Sequence, residues 1–333
     1  ISLLNSCSNI SEFLIEKLIG FFLFDMYDLY TVFIYFLILL KDLLNIRVNN
    51  VKDNLVILAG SPRGGEKTWT SLKKYVLDPL NADLAICTTD RFSKSNSLFK
   101  LAKYKWIFKE YDNFFNYYEE NFSHNWKEYF NLGIDTGLYS SGSIHFVFKD
   151  YILKNHIEVL EAYKNIIYSR FDQLYIDTHP KLDQDVILIP EGEDYFGICD
   201  RHAAFPSKYS KLFLNICEFI DSDDTKKYNS DFLNCEVTFS NHLKNTELIN
   251  KVKRSKRFQF TTSLKGEHTN WRIAKYKVHF TNKLMIKYPD EFMDSMKNLI
   301  SSKSIFYALR KETIFTFNYF YLVFRIFIGK KIN

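Results

Sequence analysis

Leu55-Val56-Ile57-Leu58-Ala59 is the stretch that most restricts how this chain can fold. Five apolar residues in a row leave neither face of a strand suited to water. The strand must be buried on both sides, as in a parallel sheet covered by helices. Gly60-Ser61-Pro62-Arg63-Gly64-Gly65 follows as a tight turn, and Glu66 to Val76 reads as a helix. Asp83-Leu84-Ala85-Ile86-Cys87-Thr88 is a second strand, ending in Thr89-Asp90. Strand, turn, helix, strand is a βαβ unit. The expected class is therefore α/β: a mostly parallel sheet flanked by helices. A chain of 333 residues that is 47% hydrophobic is long and apolar enough for it.

Two further buried strands are expected. Asn165-Ile166-Ile167-Tyr168-Ser169 ends in Arg170-Phe171-Asp172. Val186 to Ile189 is stopped by Pro190, which cannot donate to a ladder. Polar loops at strand ends are where α/β proteins keep their chemistry. The loop after Pro190 gathers Glu191, Glu193, Asp194, Asp200, Arg201 and His202 beside one strand end, with Gly192 and Gly197 for sharp turns. Tyr195, Phe196, Ile198 and Cys199 set it apart from a merely solvated acidic loop. Elsewhere Leu98–Phe130 reads as helical and aromatic, Ile144–Tyr163 as a helix, and Gly133–Ser143 as a second small-residue turn. Ser207–Ile220 and Phe232–Leu243 read as helices, and Arg257–Thr261 alternates like a strand.

Three groups of residues carry chemistry. A glycine-rich turn before a helix exposes backbone N–H groups to an anion, which makes Gly60–Gly65 a phosphate or nucleotide site. The phosphate-loop pattern misses by one residue, because Glu66 stands between Gly65 and Lys67. The phosphosulfate loop of sulfotransferases misses in the same way. A lone carboxylate such as Asp172 can hold a divalent cation that bridges a diphosphate, and Arg170 beside it can clamp phosphate oxygens. Adjacent carboxylates raise one another's pKa, so Glu193-Asp194 can supply a general base. Asp200, Arg201 and His202 can bind hydroxyls by charge-assisted hydrogen bonds.

The formal charge of +5 suits anionic substrates or a membrane surface and is too weak to argue for nucleic acid. None of the five cysteines forms a Cys-x-x-Cys pair, which reads as reduced thiols in a cytosolic compartment. Leu18–Leu44 is strongly apolar, but its uncharged core, Leu29–Leu40, is twelve residues against the about 20 a span requires. It reads as a helix on the membrane, a span that includes Asp25 and Asp28, or a helix packed on the protein. Ile314–Ile328, aromatic and followed by Lys330 and Lys331, reads as an interfacial helix or a capping helix on the core.

Four stretches together resemble a family of surface-polysaccharide-type glycosyltransferases with a GT-A-like, nucleotide-sugar fold: Gly60–Gly65, Asn81–Ala85, Arg170–Asp172 and Pro190–His202. The resemblance covers roughly Leu55 to Leu243. It implies a transferase that moves a sugar from a nucleotide-diphosphate donor to a glycan or lipid-linked acceptor at the cytoplasmic membrane face. Ser61, Arg63, Gly64, Gly65, Asp90 and Arg170 would bind the donor nucleotide. Asp194, with Glu193 beside it, would be catalytic, and Glu191, Asp200, Arg201 and His202 would hold the acceptor or sugar. Asp172 would carry a Mn or Mg ion, although the family's Asp-x-Asp metal motif is reduced here to that single residue. The alternatives are a sulfotransferase with a phosphoadenosine donor and a non-catalytic glycan-binding scaffold. The expected organisation is an apolar segment over 1–50, an α/β transferase-like domain over 51–265 and a helical region over 266–333.

Overall fold

Leu55 to Ala59 are at most 1% exposed and alternate between two cores. Leu55, Ile57 and Ala59 face one core, with Phe146, Phe148 and Ile152. Val56 and Leu58 face the other, with Trp69 and Leu72. Burial on both faces is what an unbroken apolar strand demands. The computed structural model describes residues 52–92, 96–123, 125–133, 143–228, 232–264, 266–267, 269, 277–278 and 284–301. The apolar segment expected over 1–50, the turn residues 134–142 and the tail 314–328 lie outside the described residues. Among the described residues, no helix is long and apolar enough to cross a membrane.

The chain runs β1 (Asn54–Ala59), α1 (Gly65–Leu72), β2 (Ala82–Thr89), α2 (Ser97–Leu101), β3 (Tyr104–Phe108), α3 (Phe115–Asn121), α4 (Trp126–Leu132), α5 (Ile144–Glu161) and β4 (Asn165–Arg170). It continues with β5 (Gln173–Tyr175), β6 (Ile187–Pro190), β7 (His202–Pro206), α6 (Ser210–Leu214), α7 (Ile216–Asp221) and α8 (Cys235–Asn245). β8 (Val252–Ser255), β9 (Gln259–Leu264), β10 (Lys277–Val278), β11 (Leu284–Ile286) and α9 (Pro289–Ser301) complete it. The seven-stranded sheet has the order β3-β2-β1-β4-β7-β6-β8. β1 to β4, β6 and β8 run the same way, and β7 is antiparallel to both its neighbours. The α/β, mostly parallel architecture is as expected.

Several details differ. Leu98–Phe130 contains β3, an edge strand whose Trp106 and Phe108 face the core while Lys105 is exposed. Ser207–Ile220 is broken at Asn215, between α6 and α7, and begins as a 3₁₀ turn. β4 and β6, expected as neighbouring strands from their chemistry-bearing ends, are separated by β7. A second sheet, β10-β11-β9-β5, is antiparallel and packs against α9 through Leu174, Phe260, Ile286 and Phe292. The boundary expected at 265/266 falls inside this sheet, and the region beyond it contributes strands as well as a helix. The chain passes from the large sheet to the small one at Asp172, whose carbonyl accepts from the Thr262 amide at 2.8 Å.

Candidate active site

The strand order sets the site. The chain leaves β1 for β2 and β3 on one side and returns to β4 on the other, so the order reverses between β1 and β4. Ligands of open α/β sheets bind at such a reversal, outside the carboxyl ends of the strands. Gly60 follows β1 there, and Arg170 ends β4, with Ala59 and Arg170 in register. Because β7 is reversed, it begins at this same edge, and His202 pairs with Ser169. Asp200 and Arg201 therefore arrive beside Arg170, and the loop after β6 closes the far side.

Asp172 is buried, and two arginines hold its carboxylate. Arg170 forks onto both oxygens at 3.1 and 3.0 Å, and Arg63 Nη2 donates to Oδ2 at 2.8 Å. Burial pushes the Asp172 carboxyl up, but Arg170 and Arg63 outweigh it and hold it below the ordinary aspartate range. Two nitrogen atoms beside this pair have no hydrogen-bond partner among the described residues. One is Arg63 Nε and the other is Nδ1 of His145, at the start of α5 and 7% exposed. A Cβ on Gly60 would come 3.1 Å from the His145 ring. Burial, then Arg170, Lys149 and Arg63, press the His145 ring well below the ordinary histidine range, so it is neutral.

Glu193 sits in a cage of cations. Arg257 Nη2 reaches Oε1 at 2.7 Å, while Lys287 Nζ and Arg201 Nε reach Oε2 at 3.1 and 3.4 Å. The Thr261 hydroxyl donates to Oε1 at 3.0 Å. Burial works against ionisation, but Arg201, Lys287 and Arg257 prevail and hold the carboxyl at about 2. A carboxylate held this firmly is an anchor and a poor proton acceptor. Gln173 Nε2 bonds both Thr261 Oγ1, at 3.2 Å, and Asp172 Oδ1, at 3.5 Å, so the Asp172 and Glu193 groups form one network. Asp194 accepts from Arg254 Nη2 at 2.9 and 3.1 Å and from the Cys199 amide at 3.0 Å.

The loop that carries them is strained. Glu193, Tyr195 and Phe196 have φ of 57°, 42° and 71°, left-handed values that residues with a Cβ rarely adopt. Such outliers cluster at functional loops and persist only where the surroundings impose them. Here Asn234 Nδ2 donates to the Tyr195 carbonyl at 2.9 Å, and the Ile198 amide donates to the Glu236 carbonyl at 3.1 Å. Gly197 allows that docking, since a Cβ there would lie 2.1 Å from the Glu236 carbonyl oxygen. Gly197→Ala must therefore lift the loop from α8 and is expected to cost about 1–3 kcal/mol, read as a lower unfolding temperature. An unchanged unfolding temperature would show that the loop is not pinned there.

Arg201 bridges two carboxylates, Glu193 and Glu236, reaching Glu236 Oε1 at 2.8 Å from Nη1. Asp200 pairs with the fully buried Lys149 at 3.5 Å. Lys149 Nζ also lies over the rings of Tyr168, Phe239 and Phe146 at 4.9, 5.1 and 5.6 Å. Burial raises the Asp200 carboxyl, but Lys149, Arg201 and Arg170 hold it below its ordinary value.

Arg63, Arg170, Asp172, Glu193, Asp200 and Arg201 thus converge. Other expected site residues serve the fold. Gly64 and Gly65 have φ of 86° and 65°. The Gly64 amide is taken by the Glu267 carboxylate at 3.1 Å, and a Cβ on Gly65 would press on Leu264 at 3.0 Å. Glu66 turns away to cap α2, accepting from the Ser97 hydroxyl at 2.6 Å. Ser61 closes the turn, its carbonyl accepting from the Arg63 amide at 2.8 Å. Asp90 is exposed at the end of β2 and accepts from the Glu110 amide at 3.1 Å. Glu191 is exposed, and its amide donates to the Ser255 carbonyl at 2.9 Å.

His202 is 1% exposed, which closes it to a sugar hydroxyl. His179 Nδ1 donates to the Pro180 carbonyl at 2.7 Å, so its Nε2 accepts from His202 Nε2 at 3.2 Å. His202 Nδ1 then accepts from Ser169 or Tyr175 hydroxyls at 3.2 and 3.3 Å. The residues that sequence reasoning missed are His145, Lys149, Glu236, Arg254, Arg257 and Lys287. Each is a single charged or polar residue on an element far along the chain from the motif it serves. Asn234, an N-cap that accepts from the Val237 amide at 2.8 Å, is the one local signal that marks Glu236.

Asp172 does not fit a divalent ion as it stands. Two guanidiniums occupy its oxygens, and among the described residues no group of three or more His, Cys, Asp or Glu could hold a metal. No protein-family model matches the chain, and no curated protein matches it.

Proposed function

We propose that the chain is a glycosyltransferase with a GT-A-like fold, moving a sugar from a nucleotide-diphosphate donor to a hydroxyl of a glycan or lipid-linked acceptor at the cytoplasmic membrane face. One observation carries the reading. At the β1/β4 reversal, Arg63 Nε and His145 Nδ1 are buried without hydrogen-bond partners among the described residues, close to the Arg170 guanidinium. A buried polar atom without a partner costs free energy; a phosphate oxygen satisfies the Arg63 Nε–H, and His145 Nδ1 in the tautomer that carries its proton there. The parallel β3-β2-β1-β4 half has the strand order of a mononucleotide-binding half, which supports a nucleotide at this point.

The diphosphate lies against Arg63 and Arg170. As the sugar departs, negative charge grows on the leaving oxygen, and guanidiniums already held by Asp172 meet it without reorganising. They supply the charge that a cation at Asp172 would have supplied. Arg170→Ala is expected to weaken UDP or GDP binding about 10–100-fold, the value of one or two charge-assisted hydrogen bonds. Chelation of divalent ions should leave that binding unchanged. Calorimetric titration of both proteins, with thermal unfolding measured alongside because Asp172 loses a partner, checks this. Neither diphosphate binding the unmodified chain would sink the reading. Binding of 3′-phosphoadenosine 5′-phosphate instead would favour a sulfotransferase.

A further inference from the structure

We infer that Glu236 is the proton acceptor of this site, the carboxylate that takes the acceptor hydroxyl's proton as the new glycosidic bond forms. The inference rests on the glycosyl-transfer reading and replaces Asp194 and Glu193 in that role.

The carboxylates of the site are unequally neutralised. Five carboxylates lie in the network. Asp172 has two arginines, Glu193 has Arg201, Arg257 and Lys287, Asp200 has Lys149, and Asp194 has Arg254 and an amide. Among the described residues Glu236 has one ion pair, to Arg201, and it shares that guanidinium with Glu193. It is 5% exposed on the first turn of α8, with the strained loop laid over its backbone. The groups that act on it come from three elements: Arg201 and Asp200 from the start of β7, Lys287 from the end of β11, and Cys235 from its own helix. Burial first, then Asp200, raise its carboxyl, and Arg201, its own backbone amide and Lys287 oppose them without prevailing. Glu193, Asp172 and Asp200 all move the other way. A site whose carboxylates are pushed apart in this manner separates its acid–base group from its anchors.

The step balances. The acceptor O–H proton passes to Glu236, and the oxygen's electron pair forms the bond to the anomeric carbon. The bond from that carbon to the diphosphate breaks, and its electron pair leaves on the diphosphate oxygen beside Arg63 and Arg170.

The test uses the full chain labelled with ¹³C at the glutamate carboxyls, titrated from pH 8 down to the onset of acid unfolding, together with turnover of UDP- and GDP-sugars. The Glu236 signal is assigned by its loss in Glu236→Gln or, should that variant not fold, in Glu236→Asp. We expect Glu236 to titrate above the ordinary glutamate value of 4.5. Glu236→Gln should keep UDP or GDP affinity within about twofold and lower turnover by about 10²–10⁴-fold. Glu236→Asp should recover part of the loss, and the acid limb of the rate profile should follow the titration. A Glu236 carboxyl titrating at or below 4.5 overturns the inference whatever the substrate. So does full turnover in Glu236→Gln. An unmodified chain that binds neither diphosphate and turns over no donor fails the transfer reading instead, and the two failures read differently.

Discussion

Glu193→Gln is expected to lower the melting temperature by about 6–20 °C. The substitution keeps the shape of the side chain and removes its charge. Three buried or nearly buried cations then lose their shared anion: Arg201 keeps Glu236 and Arg257 keeps Glu291, but Lys287 has no other ion pair among the described residues. Removing one partner of a buried ion pair costs about 3–5 kcal/mol, because the remaining charge has lost both water and its counterion. In a domain of this size each kcal/mol moves the melting temperature by about 2–4 °C. The loop adds to the loss, since the cage helps to hold Glu193, Tyr195 and Phe196 in their left-handed conformations. Calorimetry of the variant at neutral pH measures the effect. A shift within about 2 °C would mean that the cations find other partners and that the cage is not what fixes the loop.

The second large effect is acid lability that begins well above the carboxylate range. His179 and His242 are held at about 4 by burial, and His145 and His202 are pressed well below the ordinary value in the same way. All four are neutral in the folded protein, while the unfolded chain takes up protons below about 6.5. The unfolded state therefore binds more protons, and stability falls as pH drops from 6.5 towards the folded values. Each such histidine costs about 1.4 kcal/mol per pH unit. His179 and His242 alone remove about 2–3 kcal/mol each by pH 4.5, against a total of about 5–15 kcal/mol for a typical domain. Below the ordinary carboxylate values, Asp172, Asp200 and Glu193 act in the same direction, because their folded values are lowered. Glu236, raised on folding, offsets a part of this, since its contribution is favourable below 4.5 and unfavourable above its folded value. Unfolding temperatures taken from pH 7.5 to 4.5 should fall steeply below pH 6.5. A flat profile down to pH 4.5 would mean that these rings are not neutral by burial.

The parallel strands were readable in the sequence because burial on both faces leaves an unbroken apolar run, as in β1, β2, β4 and β6. β3 was not, because Tyr104, Trp106 and Phe108 sit in a longer aromatic stretch whose period is obscured by lysines. β7 begins with His202 and ends with Pro206, and its reversal depends on a partner 33 residues away at Ser169, which no local pattern reveals. The site divides in the same manner. Arg63, Arg170, Asp172, Glu193 and Arg201 lie in strand-end motifs and could be found. Their counterions could not: Lys287 meets Glu193 across 94 residues, and Arg257 across 64. The pairing that separates an anchored carboxylate from a proton acceptor is a property of the fold. Glu193 and Asp194 look alike as neighbours in the chain, whereas Glu236 looks like nothing in particular.

Phe196 is 89% exposed, its backbone is at φ 71°, and among the described residues its ring meets one other, Phe232, at 5.1 Å. A left-handed conformation costs a residue with a Cβ about 1–3 kcal/mol, and an exposed ring recovers little of that by burial. Gly or Asn would sit in the same place more comfortably. Folding gains little from an aromatic side chain there beyond the edge contact with Phe232. The ring persists against the native state's own preference, in the way that activity and stability trade against each other at working surfaces. Its value cannot be read from a melting curve, which should rise when it is removed.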